Sequence, residues 1–149
     1  MRHVKDEVYD FLTAPKKTKL KIKSKQMQIE DLRLQMLPGA IRYDKDSVQS
    51  SPEDPMMKFI VRVDELERAI EELKLQYVDE QKMIAEAIEQ LADEREQVVL
   101  IGRYVKTESY DEIAAELFLS VDRVFQIHRS AVDNMVEIVD KIKHYSELQ

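Results

Sequence analysis

The chain has 149 residues, no Cys or Trp, two glycines, 36% charged residues and a formal net charge of −7. That length holds one domain, or a small domain on an extended arm. The missing Cys excludes a disulfide framework and thiolate metal sites, two glycines are too few for a β-sandwich or serial hairpins, and no apolar run reaches the roughly 18 residues of a membrane span.

The opening MRHVKDEVYD lacks the apolar core of a signal peptide, so the expected location is the cytoplasm. Val4, Val8, Phe11 and Leu12 lie at helical spacing, and Pro15 is expected to end or interrupt that helix. KKTKLKIKSK follows, contributing Lys16, Lys17, Lys19, Lys21, Lys23 and Lys25, six candidate phosphate contacts. Ile22, Ile29, Leu32 and Met36 then predict a helix to about Leu37, stopped by Pro38-Gly39. RYDKDSVQSSPEDP, at 42–55, is polar, aperiodic and holds two prolines, which reads as a linker.

From Met56 the apolar residues alternate in steps of three and four. Met56, Val63, Ile70, Tyr77, Ile84 and Leu91 take heptad position a; Phe59, Leu66, Leu73, Glu80 and Ala87 take position d. Such a run predicts a coiled-coil-like helix about 54 Å long at about 1.5 Å per residue. Its seam needs cover, either from the helix at 19–37 or from a second copy of the chain, and the neutral Gln76 and Gln81 do not choose between them. Glu80 loosens the seam or marks where its partner helix ends.

Asp93 followed by Glu96 has the form of a capping box, so the long helix is expected to break there. The next helix has Val98, Leu100, Ile101, Tyr104 and Val105 as its apolar positions. Ser109 with Glu112 is a second capping box, opening a helix over Tyr110–Glu116. Leu117-Phe118-Leu119 reads as a turn, and Ser120 caps another helix from Val121 to at least Val132. Val124, Ile127, His128, Ala131 and Val132 fall on its inner face, where His128 is expected to pack rather than bind metal. Asp122, Arg123, Gln126 and Arg129 fall outside. Arg can bond guanine and Gln adenine in bidentate fashion, and backbone N–H groups at a helix start meet phosphates. The expected DNA contacts are therefore Lys106, Ser109 and Tyr110 from the preceding segment, with Ser120, Val121, Asp122, Arg123, Gln126 and Arg129.

The segment LADEREQVVLIGRYVKTESYDEIAAELFLSVDRVFQIHRSAV resembles the C-terminal helix-turn-helix of sigma factors. Leu100, Arg103 and Tyr104 match a Leu-x-x-Arg-Tyr helix, and Ser109, Glu112, Ile113 and Ala114 match a Ser-x-x-Glu-Ile-Ala box. The resemblance implies reading of a promoter element and contact with RNA polymerase. The whole chain, with its Lys-rich first helix, SVQSS linker and RVDELERAIEELK helix, is similar to ArpU/RinA-like regulators of late transcription in phages and prophages. Phe118 stands where that pattern has Gly, so either the turn is remodelled or the ring is presented to a partner. A second departure is electrostatic, since residues 93–149 carry seven Lys/Arg against twelve Asp/Glu, although the 16–25 lysines could supply positive charge.

The expectation is an all-α protein, with a helical and coiled-coil region at 1–92 and a sigma-region-4-like helix-turn-helix domain at 93–149. It would bind double-stranded DNA as a phage or prophage activator, associate with itself through the 56–91 helix, and live in a bacterial host. The alternative is a module that binds polymerase or a sigma factor without reading DNA. No nucleophile–base set, glycine phosphate loop or metal cluster appears, so neither enzymatic activity nor a cofactor is expected.

Overall fold

The computed structural model describes residues 3–37 and 54–148. Its elements are α1 (Val4–Gln35), α2 (Pro55–Ile88), α3 (Glu94–Leu100), a π-helical turn (Ile101–Val105), α4 (Tyr110–Leu117) and α5 (Val121–Glu147). No strand occurs among the described residues, and the class is all-α. The expected stop at Pro38-Gly39 and the linker up to residue 53 lie outside the described residues.

Pro15 does not end the first helix; α1 runs through it. A proline inside a helix leaves the carbonyl four residues back without its N–H and costs about 3 kcal/mol. Here Pro15 is itself buried, and apolar residues on both sides (Val8 and Leu12 before it, Ile29 after it) gain cover by staying helical. α2 starts on Asp54-Pro55, where Asp54 Oδ1 accepts from the Met56 N–H at 3.0 Å and proline takes the first helical position, which needs no donor.

The chain divides into two compact units, Met1–Pro15 with Val78–Gln149, and Lys16–Tyr77. The division differs from a boundary at 92/93, because the start of α1 and the last turns of α2 share a core with the helix-turn-helix. Glu80, the missing beat of the heptads, falls just past the Tyr77/Val78 division.

In the Lys16–Tyr77 unit, α1 and α2 form an antiparallel pair, with Gln76 bonded to Thr18 and Arg62 to Gln28. The expected heptad residues Val63, Leu66 and Ile70 pack on Ile22, Ile29 and Leu32, so α1 of the same chain covers this part of the seam.

In the other unit, Val8 and Leu12 join Ile84, Ala87, Ile88, Leu91 and Leu100 around Ala131, Val132, Met135 and Val139 of α5. Lys5–Asp133 and Lys143–Glu7 ion pairs, at 3.0 and 2.9 Å, flank that contact. A second cluster, Val99, Ile113, Ala114, Val124 and Ile127, holds α3, α4 and the first turns of α5.

The break at Asp93 is present, and Asp93 accepts from the Arg95 N–H at 2.8 Å. Glu96 departs from its expected capping role. The residue is 3% exposed and its carboxylate faces α5, accepting from Ser130 Oγ at 2.7 Å and from Asn134 Nδ2 at 2.8 and 3.1 Å. Val98, expected inside, is exposed, whereas Val99 is fully buried. The helical phase inferred from Ile101, Tyr104 and Val105 passes through the π turn, which advances each residue less than an α turn does and so displaces the stripe by one position.

Hydrogen bonds to a charged acceptor contribute more than neutral ones, and stripping a buried group from its donors leaves them unpaid. Glu96→Ala is expected to lower unfolding stability by about 3 kcal/mol, with Glu96→Gln losing less. Denaturant titration followed by tyrosine fluorescence checks this.

Candidate nucleic-acid interface

Two side-chain caps and one reversal of the chain build this site. Ser109 Oγ accepts from the Glu112 N–H at 3.1 Å and opens α4; Ser120 Oγ accepts from the Arg123 N–H at 3.1 Å and opens α5. Between them α4 ends in a Schellman motif, with Leu119 N–H donating to the Ala114 carbonyl at 3.0 Å and Phe118 N–H to that of Ala115 at 3.3 Å. The motif requires a left-handed residue after the helix, and Phe118 supplies it at φ 56°, ψ 40°. The turn is thus not remodelled to avoid the missing glycine; the phenylalanine accepts the strained conformation. Its ring gains nothing in return from the chain, being 94% exposed.

Val124, Ile127, His128, Ala131 and Val132 are all buried, as their spacing predicts. Their burial sets which side of α5 faces out. Asp122, Arg123, Gln126 and Arg129 are exposed on the opposite side, and Arg123 Nη1 donates to Gln126 Oε1 at 3.1 Å. Asp122, Phe125, Gln126, His128 and Arg129 line a shallow cleft along the helix. Val121 is half-buried on the second core cluster, which leaves its backbone at the helix start.

The other expected contacts are more committed to the fold. Lys106 is exposed, but its ammonium lies 3.1 Å from Glu108 Oε1, which raises the lysine pKa and holds the Glu108 carboxyl down. Glu116, sharing a hydrogen bond with Glu108, is pushed up. Ser109 spends its hydroxyl on the cap. Tyr110 sits in an aromatic cluster, with Phe125 at 4.6 Å between ring centroids, His128 edge-on at 5.7 Å and the Arg103 guanidinium over its face at 4.4 Å. The six lysines at 16–25 fall in the Lys16–Tyr77 unit; Lys16, Lys17, Lys19, Lys21 and Lys23 are exposed and Lys25 is half-buried.

The aromatic cluster behind α5 was not legible as a unit in the sequence. Tyr104 Oη and His128 Nε2 are 2.7 Å apart, and Tyr9 of α1 stacks on the imidazole at 6.3 Å. Arg103 Nη1 donates to the Glu108 carbonyl at 3.1 Å, so the Arg-Tyr pair of the π turn ties α4's entry and α5 together. Gly102 packs closely beside them, and a Cβ there would stand 3.1 Å from Ile113 Cγ1, so that side chain would have to give by a few tenths of an ångström. The sequence signal that could have pointed to it is Phe125, an exposed aromatic residue beside the buried face of α5. Burial pushes the Tyr104 hydroxyl well above its ordinary value, and burial followed by the Arg103 charge holds His128 below its own.

With this geometry in place, residues 87–135 match the family model for sigma-70, region 4. The match takes in α3, the π turn, α4 and the first half of α5. No curated protein and no solved structure matches the chain. The matched segment is thus a sigma-region-4-like helix-turn-helix, a DNA-binding class that acts in transcription. No helix among the described residues is long and apolar enough to cross a membrane.

Two measurements test the site's construction. Glycine at a left-handed cap avoids the Cβ penalty, and the exposed ring has little burial to lose. Phe118→Gly is expected to raise stability by about 1 kcal/mol, read from the denaturation midpoint. His128 has a folded pKa depressed below 6.5, so its contribution is present above that value and lost as pH falls through the folded pKa. Stability is expected to decline between about pH 7 and pH 5, with a shallower decline in His128→Asn, by thermal melts across that range.

Proposed function

We propose that the protein is a phage or prophage transcription regulator, an activator of late genes, that reads promoter DNA through the N-terminal half of α5. The observation that carries the reading is the exposure of Arg123, Gln126 and Arg129 on one side of a helix whose other side is buried. Capped at Ser120, this helix start presents backbone N–H groups toward a phosphate and long donors toward base edges. The similarity to ArpU/RinA-like regulators supports the phage assignment, and the sigma-region-4 match supports work beside RNA polymerase in a bacterial cytoplasm. Nothing in this arrangement calls for catalysis, and the proposed role is non-enzymatic.

A second reading has one observation in its favour. Phe118 places an aromatic ring in water at the turn, close in sequence to Glu112, Glu116 and Asp122. A module that grips polymerase or a sigma factor through that ring would not need the arginines.

Binding to duplex DNA selected from a random pool, followed by fluorescence anisotropy, separates the two. Each bidentate base contact is worth about 1–3 kcal/mol, so Arg123→Ala with Arg129→Ala should weaken specific binding by at least about tenfold. Unchanged affinity in that double variant overturns groove reading. If the 16–25 lysines also meet phosphates, replacing Lys16, Lys19, Lys21 and Lys23 with Gln will flatten the salt dependence by nearly one unit of log–log slope per lost contact.

A further inference from the structure

The helical pair of the Lys16–Tyr77 unit has little holding it. Its described core is Ile29, Leu66 and Ile70, with Ile22, Leu32 and Val63 partly buried against them. Yet α1 carries a second apolar stripe that this core leaves in water. Leu20, Met27 and Leu34 are 62%, 56% and 60% exposed. They recur every seven residues, and the turn of about 100° per residue puts them on the side of α1 opposite Thr18, Ile22 and Ile29. Heptad spacing on a solvated face is what a helix shows when it packs lengthwise against another helix.

We propose that this stripe is a self-association surface, on which α1 of a second copy lies antiparallel with the two-fold axis at Met27. An antiparallel pair centred there sets Leu20 against the second copy's Leu34, and Met27 against its equivalent. In such a pair the same flank of each helix meets its symmetry mate. Lys23 and Glu30, both exposed, lie on one flank of the stripe. Lys23 therefore faces the second copy's Glu30, and symmetry makes the ion pair twice. A parallel pair would instead set this flank against the opposite flank of the second copy, where Lys23 and Glu30 do not meet. This self-complementarity of charge is what selects a second copy over an unrelated helix. It also moves the contact away from the α2 seam, whose Val63, Leu66 and Ile70 are already covered by α1.

Three apolar layers make a small interface, so the dimer should dissociate in the micromolar range. Sedimentation equilibrium of the full chain from about 1 to about 100 μM is expected to show that dimer. Met27→Glu, which puts two carboxylates on the axis, should raise the dissociation constant about a hundredfold. Lys23→Glu and Glu30→Lys should each raise it about tenfold, and the two together should restore it to within about threefold. All three positions are exposed, so far-UV helicity stays unchanged in every variant. A monomer throughout the range, a dimer indifferent to Met27→Glu, or no recovery in the double swap overturns the proposal. No DNA enters the measurement, so its outcome is independent of the DNA-reading proposal.

Discussion

The helix-turn-helix is held by a buried carboxylate. Glu96 projects from the first turn of α3, where the helix N-terminus favours negative charge, and takes donors from Ser130 and Asn134, one turn apart on α5. Those donors satisfy both carboxylate oxygens, so the buried group is left with no unmade hydrogen bond. The bond fixes the register of α3 along α5, and two packing consequences follow. Leu100 comes to lie in the first core cluster, while Val99 falls in the second. The same carboxylate thus acts with the apolar clusters that bury the inner face of α5 and so turn the other side chains at its start outward.

Strain is concentrated around α4. Thr107 and Phe118, before and after this eight-residue helix, both have φ of 56°. Non-glycine residues pay about 1–2 kcal/mol for that region. A helix this short contributes little by itself. Its place depends on Ile113 and Ala114 in the core, on the Ser109 cap, and on Arg103 holding both the Glu108 carbonyl and the Tyr110 ring. Contacts at the two ends offset strained backbone at the two ends. Phe118 is the unbalanced member, since its side chain returns almost no burial for the conformation it holds.

The parts of the fold carried by local chemistry were legible in the sequence. Ser109 and Ser120 begin α4 and α5 as their spacing predicts, and all five inner residues of α5 are buried, because caps and 3.6-residue periodicity are properties of neighbouring residues. What failed depends on residues far apart in the chain. Pro15 stays within a helix because tertiary burial on both sides outweighs a local penalty. Glu96 reads as a capping residue until Ser130 and Asn134 are brought beside it. The Val98-for-Val99 error came from extending one period across a π turn that single-residue patterns do not announce. Of the candidate site, the exposed arginines and Gln126 could be read directly; the aromatic cluster of Tyr9, Tyr104, Tyr110, Phe125 and His128 could not, since it draws on α1, the π turn, α4 and α5.

Charge sharpens what the exposed face of α5 must do. The unit that contains the helix-turn-helix, Met1–Pro15 with Val78–Gln149, has ten Lys/Arg against nineteen Asp/Glu, whereas Lys16–Tyr77 has thirteen against eleven. An acidic body repels the duplex at long range, and only within about a Debye length, near 8 Å at physiological salt, do individual arginines outweigh it. Affinity from such a unit alone would rest on short-range base contacts more than on counterion release. Discrimination between sequences is then favoured over non-specific adhesion, because repulsion is shared by all DNA and the bidentate bonds are not. The excess of positive charge belongs to the other unit, chiefly to one lysine-rich turn of α1 after another. On the proposed reading, phosphate attraction and base reading would fall to separate stretches of the chain, the lysines of α1 and the start of α5.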